Sequence, residues 1–189
     1  MKLILTMGAP GSGKTTFARK TVKKLLKKGE KAAIFSKDDF RNMFTGSADK
    51  QLYWTTLAKS VWHMETAVRD MMFCSIVIAC RQGLETVIIP DCHPTLNSIK
   101  YTIEKLQSCN IGLDKVEIYA FTENTYEELL AINEVRPKED QLTPELIAEL
   151  NDLCQQTLPE IQKYAKKKSN RTTFRMYSKN PAGATKKEE

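Results

Sequence analysis

The sequence predicts an α/β protein, a three-layer fold in which a parallel sheet of about four to five strands is flanked by helices and carries a helical lid. Three observations predict it. Short apolar runs alternate with longer stretches of helical period along the 189 residues. The octapeptide Gly8-Ala9-Pro10-Gly11-Ser12-Gly13-Lys14-Thr15 completes G-x-x-x-x-G-K-[ST] between the first apolar run and the first helical one. The next two apolar runs end in charged residues, as strands do when they deliver binding groups to the carboxyl edge of a parallel sheet.

The octapeptide is a phosphate-binding loop, and with its flanks it makes the arrangement P-loop NTPase-like. Glycines let the backbone curl until successive N–H groups point inward at phosphate oxygens. The following helix presents its positive end to the same anion. Residues Gly8, Ala9, Pro10, Gly11, Ser12, Gly13, Lys14, Thr15 and Thr16 are therefore the expected nucleotide-binding set. Lys14 reaches the outer phosphates of ATP or another nucleoside triphosphate, and the Thr15 hydroxyl holds Mg²⁺. A dinucleotide G-x-G-x-x-G reading from Gly11 fails, because Thr16 stands where the last glycine belongs.

Leu3–Met7 is the first strand, and Thr15–Lys28 a helix with Phe17, Ala18, Val22, Leu25 and Leu26 on one face, ended by Gly29. Lys31–Ser36 is the second strand. Asp38–Met43 starts a short helix that Thr45-Gly46-Ser47 breaks. Ala48 to Arg81 keeps helical period but is too long for one average helix, so two are expected, the last capped by Gly83. Thr86–Pro90 is the third strand, Pro94–Ser108 a helix, and Lys115–Phe121 the fourth strand. Thr125-Tyr-Glu-Glu128 is a capping box. The polar stretch Asn133 to Gln141 leads to a helix opened by Thr143-Pro144, which Pro159 is expected to kink or split. Arg171–Tyr177 reads as an edge strand. Residues 1–177 form one expected domain, and 178–189 a disordered basic tail.

Composition narrows the class. The net charge is +6, with lysines clustered from Lys20 to Lys31 and basic residues again from Lys163 to Lys187. Such clusters are solvated helix faces or polyanion-binding surfaces. No run approaches a membrane span, and no membrane partner is expected. The five cysteines lack a C-x-x-C and fit a reducing compartment. The expected location is cytoplasmic (the host's cytoplasm if the source is a virus). A homo-oligomer is compatible with the sequence.

Phosphoryl transfer needs a phosphate cradle, a metal, a positioned base and cations around the moving charge. Asp38 or Asp39, after the second strand, is the candidate base that takes a hydroxyl proton; the alternative for Asp38 is a helix cap. Arg41, three residues on, either grips an acidic group on the acceptor or pairs with Asp38. Asp91 ends a buried strand, where a carboxylate is costly unless used. It either holds Mg²⁺ or caps the next helix. His93 is a minor acceptor contact or structural. Arg136 sits in the polar stretch, where it either closes over the phosphates or is a solvated loop charge.

These segments resemble the kinase domain of the bacteriophage-type polynucleotide 5′-hydroxyl kinase. The resemblance runs from Leu3-Ile4-Leu5-Thr6-Met7 through the phosphate loop to Asp38-Asp39-Phe40-Arg41, then Ile88-Ile89-Pro90-Asp91, then Arg136 after Glu-Glu-Leu-Leu. It implies transfer of the ATP γ-phosphate to a 5′-hydroxyl of DNA or RNA, so nucleic-acid ends are the expected partner. It further implies Asp38 as general base, Arg41 on the acceptor's 3′-phosphate, Asp91 as organiser of the site and Arg136 on the donor phosphates. Two departures stand out. Cys92-His93 replaces the usual Thr-Asn, and Arg136-Pro-Lys-Glu-Asp replaces a glycine-containing lid turn. A D-x-D-x-T phosphatase motif is absent, so 3′-phosphatase activity is not expected.

Two further classes compete. A kinase of a small-molecule acceptor would use the same parts. A nucleotide-dependent switch would have no use for paired Asp38-Asp39, and the chain has neither N-K-x-D nor D-x-x-G.

Overall fold

A computed structural model describes residues 1–46, 53, 62–168 and 171–177. The elements run β1 (Lys2–Gly8), α1 (Lys14–Lys27), β2 (Ala32–Ile34), α2 (Lys37–Thr45), α3 (Trp62–Arg81), β3 (Thr86–Ile89), α4 (Leu96–Ser108), β4 (Lys115–Phe121), α5 (Tyr126–Glu134), a 3₁₀ turn (Lys138–Asp140), α6 (Pro144–Lys167) and β5 (Thr172–Met176). The strands form one sheet in the order β2-β3-β1-β4-β5, every pairing parallel.

Helices cover both faces, which is why the strands read as unbroken apolar runs rather than alternating ones. Leu3, Leu5 and Met7 point to one side of β1 and pack with Met72, Phe73 and Ile76 of α3, Ile99 of α4 and Ile161 of α6. Ile4 points to the other side and packs with Ala18 of α1 and Ile88 of β3. A third cluster joins Ala9 of the phosphate loop to Leu129 of α5 and Ile147 of α6, so the lid region rests on the loop it borders.

The structure refines several expectations. β2 is only the middle of the apolar run Lys31–Ser36, because Ser36 already serves as N-cap of α2. The helix starting at Pro94 begins instead at Leu96, where Thr95 and Ser98 form a reciprocal capping box. Pro159 does not split its helix: α6 runs unbroken from Pro144 to Lys167. Pro159 is exposed, so the carbonyl that its missing N–H leaves unpaired can face water. The first of the two helices expected in Ala48–Arg81, and the tail 178–189, fall outside the described residues, apart from Tyr53.

The sheet fixes the loop by close approach. Gly8 has φ of 144°, and a Cβ built there would lie 2.6 Å from the Phe121 carbonyl oxygen and 2.9 Å from its Cβ. Both obstacles belong to β4, hydrogen-bonded to β1 through the same register. Gly8→Ala is therefore expected to cost about 3 kcal/mol or more, combining backbone strain with overpacking against main chain. Urea unfolding checks this; a loss below about 1 kcal/mol would show that the two strands can separate cheaply.

Candidate active site

The carboxyl ends of β1, β2 and β3 open into one cavity of about 600 Å³. Pro10, Gly11, Lys14 and Thr15 of the phosphate loop form one wall. Lys37, Asp38 and Arg41 of α2 face them, with Asp91 and His93 after β3 and Arg136 after α5. The chain order scatters these residues over more than a hundred positions. The parallel sheet gathers most of them because they follow strands that end at the same edge, and the segment after α5 adds Arg136.

The loop holds its own lysine. Lys14 Nζ donates to the carbonyls of Gly8 at 2.9 Å and Ala9 at 2.7 Å, and lies 3.3 Å from the Ser12 hydroxyl. An ammonium that is almost fully buried needs such partners. Gly11 and Gly13 take positive φ, and Gly11 lies beneath the lid: a Cβ there would sit 3.5 Å from Arg136 Nη2. Arg136 is thus delivered to the loop. Its segment is closed by Asn133, whose side chain donates to the Leu142 carbonyl and accepts from the Leu142 N–H.

Asp38 and Asp39 separate cleanly. Ser36 is the N-cap of α2, so Asp38 is not the cap; it lies one turn in and lines the cavity. Asp39 is exposed and lies outside the cavity lining, as does Thr16. Asp91 is no cap either, since Thr95 caps α4. The Asp91 side chain is 8% exposed and lies 3.4 Å from Lys37 Nζ. Its Oδ1 is 3.4 Å from the Lys37 N–H. Its Oδ2 is buried without a hydrogen-bond partner. Lys37 was silent in the sequence because nothing in its spacing distinguishes it from a surface lysine.

Arg41 is engaged on two sides. Its Nε and Nη2 donate to Glu65 at 2.8 Å each, and its Nη1 donates to Asp38 at 2.6 Å. Tyr53 adds a bond to Glu65 at 2.7 Å. Burial alone would lower the Arg41 pKa, but the bonds and charge of Glu65, with the charge of Asp38, hold it above its ordinary value. Burial likewise opposes ionised Glu65, and Arg41 and Tyr53 outweigh it and keep the carboxyl below its usual range. Glu65 was missed because it lies on α3, outside every motif. The available signal was its spacing: Glu65 and Arg69, four apart, share the helix side of buried Val68 and Met72.

His93 is part of the framework. Its ring is buried, Nδ1 donates to the Thr6 carbonyl at 2.9 Å, and Nε2 is 3.4 Å from the Thr102 hydroxyl. Thr6 in turn donates to the Asp91 carbonyl at 2.9 Å. Burial pushes the His93 pKa down, so the ring stays neutral.

The residues fit a magnesium ion that arrives with phosphates. Mg²⁺ keeps several waters and takes one or two protein oxygens. Thr15 and Asp91 Oδ2, which makes no hydrogen bond and faces Lys37 Nζ at 3.4 Å, supply that number, and the described residues hold no group of three or more His, Cys, Asp or Glu for a resident metal.

The comparisons agree with this architecture. A family model described as AAA domain matches residues 3–96, the half that carries the phosphate loop, Asp38, Arg41 and Asp91. No curated protein matches the chain. Among solved structures, a chain of a Pnkp1/Rnl/Hen1 complex is similar at 23% identity with a TM-score of 0.53. The likeness covers 75% of this chain and 40% of that one, so this chain spans well under half of its length. At that identity the likeness speaks for the fold, and the fold is P-loop NTPase-like α/β.

Two outcomes test the site's construction. A double-mutant cycle with Arg41→Ala and Glu65→Ala should give a coupling of about 1.5–3 kcal/mol in urea unfolding; additivity would show that the pair contributes nothing. His93 supplies a pH signature. Its folded pKa is depressed, so the unfolded state binds a proton first as pH falls below about 6.5, and stability falls with it by up to about 1.4 kcal/mol per pH unit. His93→Asn should flatten that slope between about pH 6.5 and 5; parallel profiles for both proteins would assign the slope to other groups.

Proposed function

We propose that the chain is a P-loop kinase, with residues 1–177 as one kinase domain, that transfers the γ-phosphate of ATP or another nucleoside triphosphate to the 5′-hydroxyl of a DNA or RNA end. The observation that carries this reading is the shared cavity: a phosphate loop, a carboxylate for the acceptor proton and cations from two other elements line one space.

Each residue has a task there. The loop N–H groups and Lys14 bind the donor phosphates; Lys14 exchanges its bonds to Gly8 and Ala9 for phosphate oxygens. Arg136, already above Gly11, neutralises charge on the transferring group. Asp38 accepts the proton of the acceptor hydroxyl as its oxygen bonds to phosphorus, and the nucleoside diphosphate leaves. Arg41 orients Asp38 through the bond to Nη1. Mg²⁺, when bound at Thr15 and Asp91, supplies charge neutralisation at the phosphates. His93 holds the Asp91 turn against β1.

A polymeric acceptor is supported by cations beyond the cavity. Lys100, Lys163, Lys167 and Arg171 border a separate groove between α4 and α6. A second reading, a small-molecule kinase, is favoured by one feature: Arg41 is already held by two carboxylates rather than presented to an acceptor phosphate.

The test is an acceptor screen with ATP and Mg²⁺, supplying 5′-hydroxyl DNA and RNA oligomers, nucleoside 3′-monophosphates and free nucleosides, with products identified by mass. A phosphate on the oligomer 5′-oxygen is expected, lost with Lys14→Ala and reduced about 10²–10⁴-fold by Asp38→Asn. Phosphate appearing only on small acceptors would establish the second reading. Nucleotide binding without any transfer product would sink both.

A further inference from the structure

The groove between α4 and α6 lies outside the reaction cavity, has a volume of about 750 Å³ and ends at the start of β5. Its floor is apolar, with Ile103, Leu113 and Val116 buried there. Its rim is charged. Lys100 comes from α4, Lys163 and Lys167 from α6, and Lys168 and Arg171 from the connection to β5. Glu104 and Glu160 are the carboxylates of the lining, so five cations stand against two.

The cations are gathered without being neutralised. Among the described residues none of the five forms an ion pair. Asp114, whose carboxyl the N-terminal ammonium holds below its usual range, feels Arg171 only as a lesser influence. Lys163 and Lys167 are four apart on one helix face, a like-charge pair that works against the helix. Lys100 Nζ lies 5.7 Å from the centroid of the Tyr164 ring, which holds that ammonium over the groove. The groove also shares its walls with the reaction cavity. Tyr101 and Thr102 of α4 and Leu146 and Leu150 of α6 line the cavity, while Lys100 and Ile103 of α4 and Lys163 and Tyr164 of α6 line the groove.

Shape and chemistry together select the occupant. An anionic membrane is broad and would meet the rim without reaching the buried floor. An acidic peptide would use the rim alone. A single nucleic-acid strand supplies both halves, phosphodiesters for the cations and flat base faces for the apolar floor and Tyr164. Resting on the polymeric acceptor of the proposed function, we infer that the α4–α6 groove is a second nucleic-acid site. It holds an interior stretch of a single DNA or RNA strand by its phosphodiesters, whatever group stands at the strand's 5′ end.

The probe is a single-stranded oligonucleotide of about 12 nucleotides. It carries a 5′-phosphate and so has no 5′-hydroxyl to be phosphorylated. Binding is read by fluorescence anisotropy without ATP across a range of salt. For the native chain, the logarithm of the association constant should fall against the logarithm of salt with a slope of about −3.5, or about −0.7 for each cation. Lys163→Gln/Lys167→Gln/Arg171→Gln should make the slope shallower by about 2 and weaken binding at about 0.1 M salt by at least about tenfold. The matched variant Lys23→Gln/Lys24→Gln/Lys27→Gln removes the same charge from the exposed face of α1. It should change the affinity by less than about twofold, since net charge acts only weakly at a distance in salt. ATP affinity of both variants should equal that of the native chain, which shows that each is folded. An abasic strand of equal length should bind at least about tenfold more weakly than the oligonucleotide, for want of bases to rest on the floor.

The assignment is overturned if the groove variant keeps the native slope and affinity, or if the α1 variant loses as much. It is also overturned if the abasic strand, poly-glutamate or phosphatidylserine vesicles match the oligonucleotide. Failure here is separable from failure of the kinase reading. Transfer to a 5′-hydroxyl oligomer with equal KM for the native chain and the groove variant would keep the kinase and remove the groove. Strand binding that the groove variant loses, with no transfer product from the native chain, would remove the kinase and keep the groove.

Discussion

The site depends on a contact with no chemistry in it, the passage of β4 across Gly8. With the Phe121 backbone where a Cβ would have to sit, β1 can end only in a residue without one, and the chain is turned sharply at that point. The turn sets the positions of Ala9 and Gly8 whose carbonyls receive Lys14. It also sets Ala9 against Leu129 and Ile147, which anchors the helices on either side of the Arg136 segment. A packing constraint between two strands thus fixes the donor end of the cavity from below and the lid arginine from above.

Electrostatics then sorts the charges into those that hold and those that are held. Lys14 is held by backbone oxygens, a set that a phosphate can replace oxygen for oxygen. Lys37 lies beside Asp91 and moderates a carboxylate at the end of a fully buried strand. Glu65 is held by both Arg41 and Tyr53, with its carboxyl pKa driven down by them against the effect of burial. The charged-residue pattern at the edge of the sheet is therefore a network with assigned partners.

What the sequence disclosed follows the range of the interactions. The phosphate loop, the strand ends at Asp38 and Asp91, and the parallel sheet were legible because each is written in contiguous residues: a fixed glycine spacing or an apolar run ending in a charge. Which of Asp38 and Asp39 lines the cavity was not, because it turns on where α2 begins, and Ser36 rather than an aspartate takes the cap. Glu65 and Lys37 were illegible for a different reason. Their roles come from elements that meet only after the sheet has formed, Arg41 to Glu65 across 24 positions and Lys37 to Asp91 across 54. Pro159 was ambiguous in the opposite sense: the local rule allowed a kink or a split, and its exposed place on a long helix made the split unnecessary.

The charge of the cavity also bears on what can enter it. Lys14, Lys37, Arg41, Arg69 and Arg136 face Asp38 and Asp91 there, with Glu65 bound to Arg41 from behind. Among the described residues the cations outnumber the carboxylates, and they stand in a space walled by Met72, Phe73, Leu146 and Leu150 where water screens them poorly. A nucleoside triphosphate would compensate the cations nearest the loop, Lys14 and Arg136. It would not reach every member of the group, since Arg69 comes from α3 and its guanidinium lies over Tyr101 of α4, 5.2 Å from the ring centroid, rather than beside the loop. A neutral alcohol entering beside it would bury that charge further and bring no opposite charge to it. The cavity therefore carries positive charge beyond what phosphates bound at the loop would meet.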